Sequence, residues 1–311
     1  MDIAIIGSGM AGLAAARILK DAGHTITIFE ALPGRGMDSH SIEFDGGIID
    51  APLRVMNPHL WKNTLSLAAH LGIKTFPVRT YMSCSWLFED RTETWLTTSR
   101  SRIGNFPIIN NRKGIQQYGW RLVKGMLQLK TAIHQFFKSK NQDITLAEFI
   151  NQNDIEEVFW HGVVMPVLYT ICTCNPKTIG DWPAKNLLEF LRHLTDGDML
   201  LRMKGGTPAF VDSLIKGIDI HSGSAIKKVI SKVTLTRAVV DSQTIALNKE
   251  LQQRHLEPNR KVFYCGSWSC DGLPILESAV TSAMHIAEIL GAPLPFVGLK
   301  PKVEVAPELG Y

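Results

Sequence analysis

No apolar run in this chain is long enough to span a bilayer. The longest, residues 162–174, is interrupted by Pro166, whereas a spanning helix needs about 20 consecutive apolar residues. Strong charge is missing too: 33 Lys and Arg against 29 Asp and Glu leave a net charge of +4. That excess is too small to argue for nucleic acid, and no aromatic-interleaved basic motif accompanies it. The five cysteines, Cys84, Cys172, Cys174, Cys265 and Cys270, contain no C-x-x-C pair. An odd count without that spacing argues against a disulfide framework or a structural zinc. The histidines are scattered, with no H-E-x-x-H spacing, so no metal is expected. The apolar N-terminus lacks a positive leading region and is not read as a signal peptide. These absences point to a soluble cytoplasmic protein with no nucleic-acid partner and no transmembrane segment.

What is present is concentrated at the two ends. Residues 2–6 are a short apolar segment leading into Gly7-x-Gly9-x-x-Gly12, then an alanine-rich stretch through Ala16. A second apolar run, residues 25–29, ends at Glu30. Strand, glycine turn, helix, strand and acid follow one another in the order of a dinucleotide-binding unit. Gly7 permits the tight turn, Gly9 lets a pyrophosphate approach the backbone, and Gly12 allows close helix–sheet packing. The N–H groups and dipole of the helix start favour phosphate. The Glu30 carboxylate is placed to accept hydrogen bonds from both ribose hydroxyls, and its charge argues against a 2′-phosphate. An ordinary strand–helix–strand unit without ligand is the plain alternative.

At 311 residues the chain exceeds what one core usually serves, so two domains are expected. The expected boundaries are a first part at 1–77, an inserted helical substrate domain at 78–204, a shortened return at 205–292 and an irregular tail at 293–311. Residues 41–50 read as a hairpin with Asp45, Gly46 and Gly47 at its tip. Asn57 and Pro58 read as the start of a helix closed by Gly72. Residues 73–77, 218–222, 225–230 and 261–265 read as strands. Residues 116–138 have apolar positions at helical spacing, Trp120, Val123, Leu127, Leu129, Ile133, Phe136 and Phe137, with a basic polar face. That face suits either a membrane surface or, as the plainer reading, solvent. Thr145 to Glu148 has the spacing of a capping box. Near the C-terminus, Pro274 suits a first helical turn and Gly291 the position just past the helix end.

These features together resemble the FAD-dependent amine-oxidase and phytoene-desaturase-like superfamily, in its NAD/FAD-binding oxidoreductase branch. The resemblance is carried by G-x-G-x-x-G, Glu30, Arg35 and Gly36, Asp50, Arg54, the Gly205-Gly206 pair before a helix, and the C-terminal strand–Gly266–loop–helix. It implies an α/β fold: a Rossmann-like FAD-binding domain, a parallel sheet with helices on both faces, plus an inserted, mainly helical substrate domain. The cofactor-binding residues it implies are Gly7, Gly9, Met10, Ala11, Gly12, Glu30, Ala31, Arg35, Gly36, Arg54, Ile226, Gly266, Ser267 and Leu276. Ala51 stands where relatives often carry glycine, and Ser267 where they carry an acid. The helix start near Leu276 and Glu277 would turn backbone N–H groups toward the flavin's pyrimidine edge.

The implied activity is FAD-dependent oxidation, with a hydride equivalent taken from a C–N or C–C bond of a hydrophobic small molecule. No catalytic base emerges; Arg54 and Trp268 are the candidates for the flavin's neighbourhood. Relatives are longer, and residues 233–240 resemble a segment just ahead of the C-terminal motif, so an internal block is expected to be missing near Ile230. The alternative is therefore a degenerate dinucleotide-binding protein without turnover. An NAD-dependent dehydrogenase is a third reading, disfavoured because it has no need of the C-terminal element.

Overall fold

A computed structural model describes residues 1–34, 36–38, 41–50, 54–78, 83–85, 94–100, 107–112, 114–172, 176–197, 199–226 and 243–304. The chain divides into two compact units, the second inserted into the first after Pro77. In chain order the first unit opens with β1 (Asp2–Ile6), α1 (Met10–Asp21) and β2 (Thr25–Phe29). The hairpin β3 (Ser41–Phe44) and β4 (Gly47–Asp50), then α2 (Lys62–His70) and β5 (Thr75–Val78), follow. The second unit holds β6 (Ser83–Ser85), β7 (Thr94–Arg100) and β8 (Pro107–Ile109). Its helices are α3 (Gly119–Lys138), α4 (Leu146–Asn151), α5 (Glu157–Phe159), α6 (Met165–Cys172), α7 (Pro176–Ile179) and α8 (Ala184–Thr195). The chain then runs through β9 (Leu200–Met203), α9 (Gly206–Ile215), β10 (Asp219–His221), α10 (Thr244–His255) and α11 (Leu276–Ile289).

The first unit is Rossmann-like. Its parallel sheet has the order β1-β2-β10, with Ile3 opposite Ile26, Ile5 opposite Ile28, and Ile220 opposite Ile28 on the other side. Alternation in β2 buries Ile26 and Ile28. Helix α1 buries Leu13, Ala14, Ala16, Ile18 and Leu19, each large side chain contributing about 1.5–3 kcal/mol. Small residues on facing turns, Ala14 and Ala15 on α1 and Ala279, Ala283 and Ala287 on α11, suit the close packing of these two helices. Among the described residues β1 lies at the sheet edge, and Ile6 is 56% exposed there.

Several expected boundaries shift for local reasons. The helix read from Asn57 begins at Lys62. Asn57 Oδ1 accepts the His59 N–H, and the Asn57 carbonyl accepts the N–H groups of Leu60 and Trp61, so a turn precedes the helix. Residues 261–265 were expected as a strand, yet they join no sheet among the described residues. Their backbone bonds side chains instead: the Tyr264 N–H donates to His255 Nε2, and the Arg260 Nε–H to the Val262 carbonyl. The strand expected at 225–230 starts with Ala225 and Ile226 outside any strand, and its remainder, like residues 233–240, lies outside the described residues. Gly291 adopts φ +76° just past α11, the left-handed position glycine favours.

Residues 293–304 form turns and one isolated bridge, but they are anchored. Phe296 is buried, and Val303 pairs with Thr75 in parallel. The Thr75 N–H donates to the Lys302 carbonyl at 3.0 Å, and the Glu304 N–H to the Thr75 carbonyl at 2.7 Å.

The second unit combines the antiparallel sheet β6-β7-β8 with its helices. Helix α3 corrects the expected apolar face. Its buried stripe is Leu122, Gly125, Leu129, Ala132, Ile133 and Phe136; Trp120, Val123 and Leu127 are exposed. The capping box is present: Thr145 Oγ1 accepts the Glu148 N–H while the Glu148 carboxylate accepts the Thr145 N–H. Among the described residues no helix is long and apolar enough to cross a membrane.

Candidate dinucleotide site

The glycine turn joins β1 to α1. Gly7 adopts φ +95°, and its N–H donates to the Phe29 carbonyl at 2.8 Å, so the turn is tied to the end of β2. A methyl group on Gly12 would lie 2.1 Å from the Gly7 carbonyl oxygen, which is backbone and cannot swing aside. At Gly9 the same methyl would meet nothing within 4 Å. Gly9 is also the N-cap of α1, with no side-chain cap. Met10 and Ala11 turn their side chains into the core. What the turn presents above Gly9 is therefore the first-turn backbone N–H groups and the positive end of the helix dipole.

Glu30 stands beside this turn, buried at the end of β2. Its Oε2 accepts the Ser8 N–H at 2.7 Å and the Ser8 hydroxyl at 2.6 Å; its Oε1 accepts the Leu32 N–H at 2.9 Å. Ser8 Oγ in turn accepts the Gly36 N–H at 2.7 Å. Burial raises the Glu30 pKa, but the hydrogen bonds from Leu32 and Ser8 outweigh it and hold the carboxyl below its ordinary value. Ser8 was overlooked in the motif because it occupies an x position. Its signal was the spacing alone, since a short hydroxyl between Gly7 and Gly9 faces the end of the neighbouring strand.

A second cluster gathers Met37, Asp50, Arg54, Met56, Met203, Gly206, Thr207, Phe210 and Leu276 around a cavity of about 10 Å³, the room of roughly one water. Asp50 is the organiser. Both its carboxylate oxygens lie 3.2 Å from the Thr207 N–H, capping α9, and Oδ1 accepts the Ser41 hydroxyl at 2.6 Å. Gly205 and Gly206 are both left-handed, and a methyl on Gly206 would lie 2.8 Å from Ile48 Cγ2. The Gly-Gly pair thus lets the helix start sit against the hairpin. Burial lowers the Arg54 pKa, and Asp50 opposes that shift.

The other expected residues are placed as follows. Ala31 is exposed beside Glu30, and Ile226 is exposed just past Ser224, whose N–H donates to the Glu30 carbonyl at 2.8 Å. Gly266 is buried, its N–H donating to Ser269 Oγ and Ser282 Oγ, both at 3.0 Å. Ser267 is half-buried next to it, and the Trp268 ring folds over Gly266, its Nε1 2.4 Å from where a methyl would sit. Arg35 lies outside the described residues, as do Ala51 and Cys174. Glu277 turns its side chain to α2, accepting the N–H groups of Asn63 at 2.7 Å and Thr64 at 2.8 Å. Cys84, Cys172, Cys265 and Cys270 are not in disulfides, and burial pushes Cys265 and Cys270 up to about 11.

The two clusters answer differently to FAD. The open backbone above Gly9 and the carboxylate of Glu30 fit the adenosine–pyrophosphate half. The described residues around Asp50, Arg54 and Leu276 stand too close together to admit a three-ring flavin between them.

Residues 5–70 match the model of an NAD(P)-binding Rossmann-like domain. The chain is similar to the 1-hydroxycarotenoid 3,4-desaturase of Flavobacterium sp. (strain P99-3), at 36% identity over 89 residues, 28% of this chain and 18% of that protein. It is also similar to the 4,4'-diapophytoene desaturase (4,4'-diaponeurosporene-forming) of Staphylococcus aureus (strain bovine RF122 / ET3-1), at 38% identity over 68 residues, 22% of this chain and 14% of that one. Among solved structures, putrescine oxidase superposes with a TM-score of 0.46 at 19% identity, covering 71% of this chain and 50% of that chain. Cyclohexylamine oxidase from Brevibacterium oxydans IH-35A gives 0.45 at 15%, covering 71% and 51%. The chain therefore matches less than a fifth of each desaturase and about half of each oxidase. The N-terminal segment is thus similar to NAD(P)-binding Rossmann-like domains and to the corresponding segment of these carotenoid desaturases.

Proposed function

We propose that this chain binds FAD by its adenosine–pyrophosphate half and serves as an FAD-dependent oxidoreductase in the cytoplasm. The observation that carries the reading is the pairing of an uncapped helix start at Gly9 with the Glu30 carboxylate, joined through Ser8. Met10, Ala11 and Gly12 offer backbone N–H groups to phosphate, and Glu30 receives ribose hydroxyls by exchanging the Ser8 hydroxyl bond for them. When bound, FAD supplies acceptance of a hydride equivalent, from a C–N or C–C bond of a hydrophobic small molecule. The segments 1–77 and 205–292 form the cofactor domain in this reading, with 78–204 as the substrate domain and 293–311 as a tail. In this reading Ile226, Gly266 and Ser267 lie along the remainder of the cofactor, and Arg54 and Leu276 would have to separate to admit the flavin ring between them.

The cavity of about 10 Å³ beside Arg54 and Leu276 favours a second reading, a dinucleotide-binding protein that holds no flavin ring and turns nothing over. Titration calorimetry of the purified chain with FAD, ADP and NAD separates the readings. Tight FAD binding, a bound-flavin spectrum and anaerobic bleaching by an amine or a polyene support the oxidoreductase. ADP binding as tight as FAD binding, without a perturbed flavin spectrum, supports the inert holder. Failure of both ADP and FAD to bind sinks both, and NAD preferred over FAD replaces them with a dehydrogenase.

A further inference from the structure

Helix α3 carries two apolar stripes. The one facing the core is Leu122, Gly125, Leu129, Ala132, Ile133 and Phe136. The other points away from it: Trp120 is 76% exposed, Leu127 54% and Val123 40%. At 100° per residue, Trp120 and Leu127 lie within about 20° of one another on the outer line of the helix. Exposed apolar residues scattered singly need no explanation, but a Trp, Val and Leu at i, i+3 and i+7 on one outer face form a continuous strip.

The charge carried by the helix and its immediate flanks has one sign. Residues 107–142 contain Arg112, Lys113, Arg121, Lys124, Lys130, Lys138 and Lys140 and no Asp or Glu. Among the described residues, acids reach the helix from neighbouring segments of the same unit, and exposed Asp154 lines a groove with Leu127 and Gln128. Glu156 pairs with Arg121 at 2.6 Å and lies 3.8 Å from Lys124, and Asp196 pairs with Lys130 at 2.8 Å. Among the described residues, Glu156 and Asp196 pair with Arg121, Lys124 and Lys130, while Arg112, Lys138 and Lys140 are exposed toward the two ends of the helix.

We propose that α3 docks this chain on an anionic phospholipid surface. Trp120, Val123 and Leu127 enter the headgroup region, and the flanking lysines and arginines hold lipid phosphates. Trp is the side chain that favours the membrane–water interface, and cations beside an apolar strip are the pattern of a helix lying in that plane. A second copy of the chain is a poorer occupant, because a two-fold contact would oppose two faces with the same excess of positive charge. A nucleic acid would answer the charge but leaves the Val and Leu without a role. The inference concerns the second unit alone and is independent of FAD binding.

The test is co-sedimentation of the full chain with phosphatidylcholine vesicles, with and without roughly a third phosphatidylserine. Binding is expected only with phosphatidylserine, falling steeply as salt screens it. Trp120→Ala with Leu127→Ala is expected to weaken it about tenfold or more, and Lys138→Gln with Lys140→Gln to weaken it and flatten its salt dependence. Both pairs are exposed, so an unchanged thermal melt confirms that the fold is intact. Binding equal on both vesicle types, or indifferent to the Trp120 and Leu127 changes, overturns the proposal. So does a monomer that ignores vesicles, a dimer that the double change dissolves, or a single-stranded oligonucleotide that binds better than the vesicles.

Discussion

At the residue scale, two carboxylates carry opposite pH signatures. Glu30 is held below its ordinary value of 4.5, so its contribution is present above the unfolded value and lost as pH falls through the folded one. Glu277 is raised: burial lifts it, against the bonds from Thr64 and Asn63. Its stabilising balance is therefore full at low pH and declines as pH rises through its folded titration. Urea unfolding followed from pH 3 to 7 should show Glu30→Gln removing part of the acid-side loss and Glu277→Gln removing part of the opposite slope. Like slopes in the two variants would contradict these environments. Gly9 and Gly12 form a second contrasting pair. Gly12→Ala forces a backbone shift and is expected to cost about 1–3 kcal/mol or more in thermal unfolding. Gly9→Ala meets nothing and should leave the melting temperature unchanged while weakening ADP and FAD alike in calorimetry.

At the scale of elements, three helix starts are finished in three ways. Thr145 caps α4 from the adjoining residue, so the pattern Thr-x-x-Glu is readable in the chain. Helix α9 is capped by Asp50 across 157 residues of sequence, and α2 by Glu277 across 214, which no local pattern announces. Asp50→Ala should therefore destabilise the first unit by about 2 kcal/mol or more, because it leaves the buried Thr207 N–H without an acceptor. Asp50→Asn should recover part of that in denaturant titration, since one oxygen remains. Equal losses in the two variants would mean that the charge, not the cap, matters. The dinucleotide turn was legible because its glycines, Glu30 and the flanking apolar runs are all local. The outer strip of α3 was misassigned because helical spacing finds apolar positions without telling which side of the helix the core occupies. The segment 261–265 read as a strand because Val262, Phe263 and Tyr264 favour strands. The ring nitrogen of His255, which takes the Tyr264 N–H, comes from a different helix and was invisible in that window.

At the scale of the whole molecule, the first unit is assembled from both ends of the chain. Phe296 is 2% exposed in it, and Thr75 receives the segment around Val303. Phe296→Ala is expected to cost about 3–5 kcal/mol, read as a lower midpoint in urea with protection lost from α2 in hydrogen exchange. Protection lost from α3 and not from α2 would contradict that placement. In the sequence, the expectation of two domains rested on the length of 311 residues and on the family resemblance, with no single local pattern carrying it.

That assembly from distant pieces has a consequence for biosynthesis. The nascent first unit lacks α11 and the Phe296 segment until more than two hundred further residues have been polymerised, a delay on the order of ten to forty seconds on the ribosome. Throughout that interval the faces of α1 and α2 that α11 covers in the finished unit stand open to unwanted partners. The yield of native material should therefore depend on holdase capacity during translation, and far less on the stability of the finished chain.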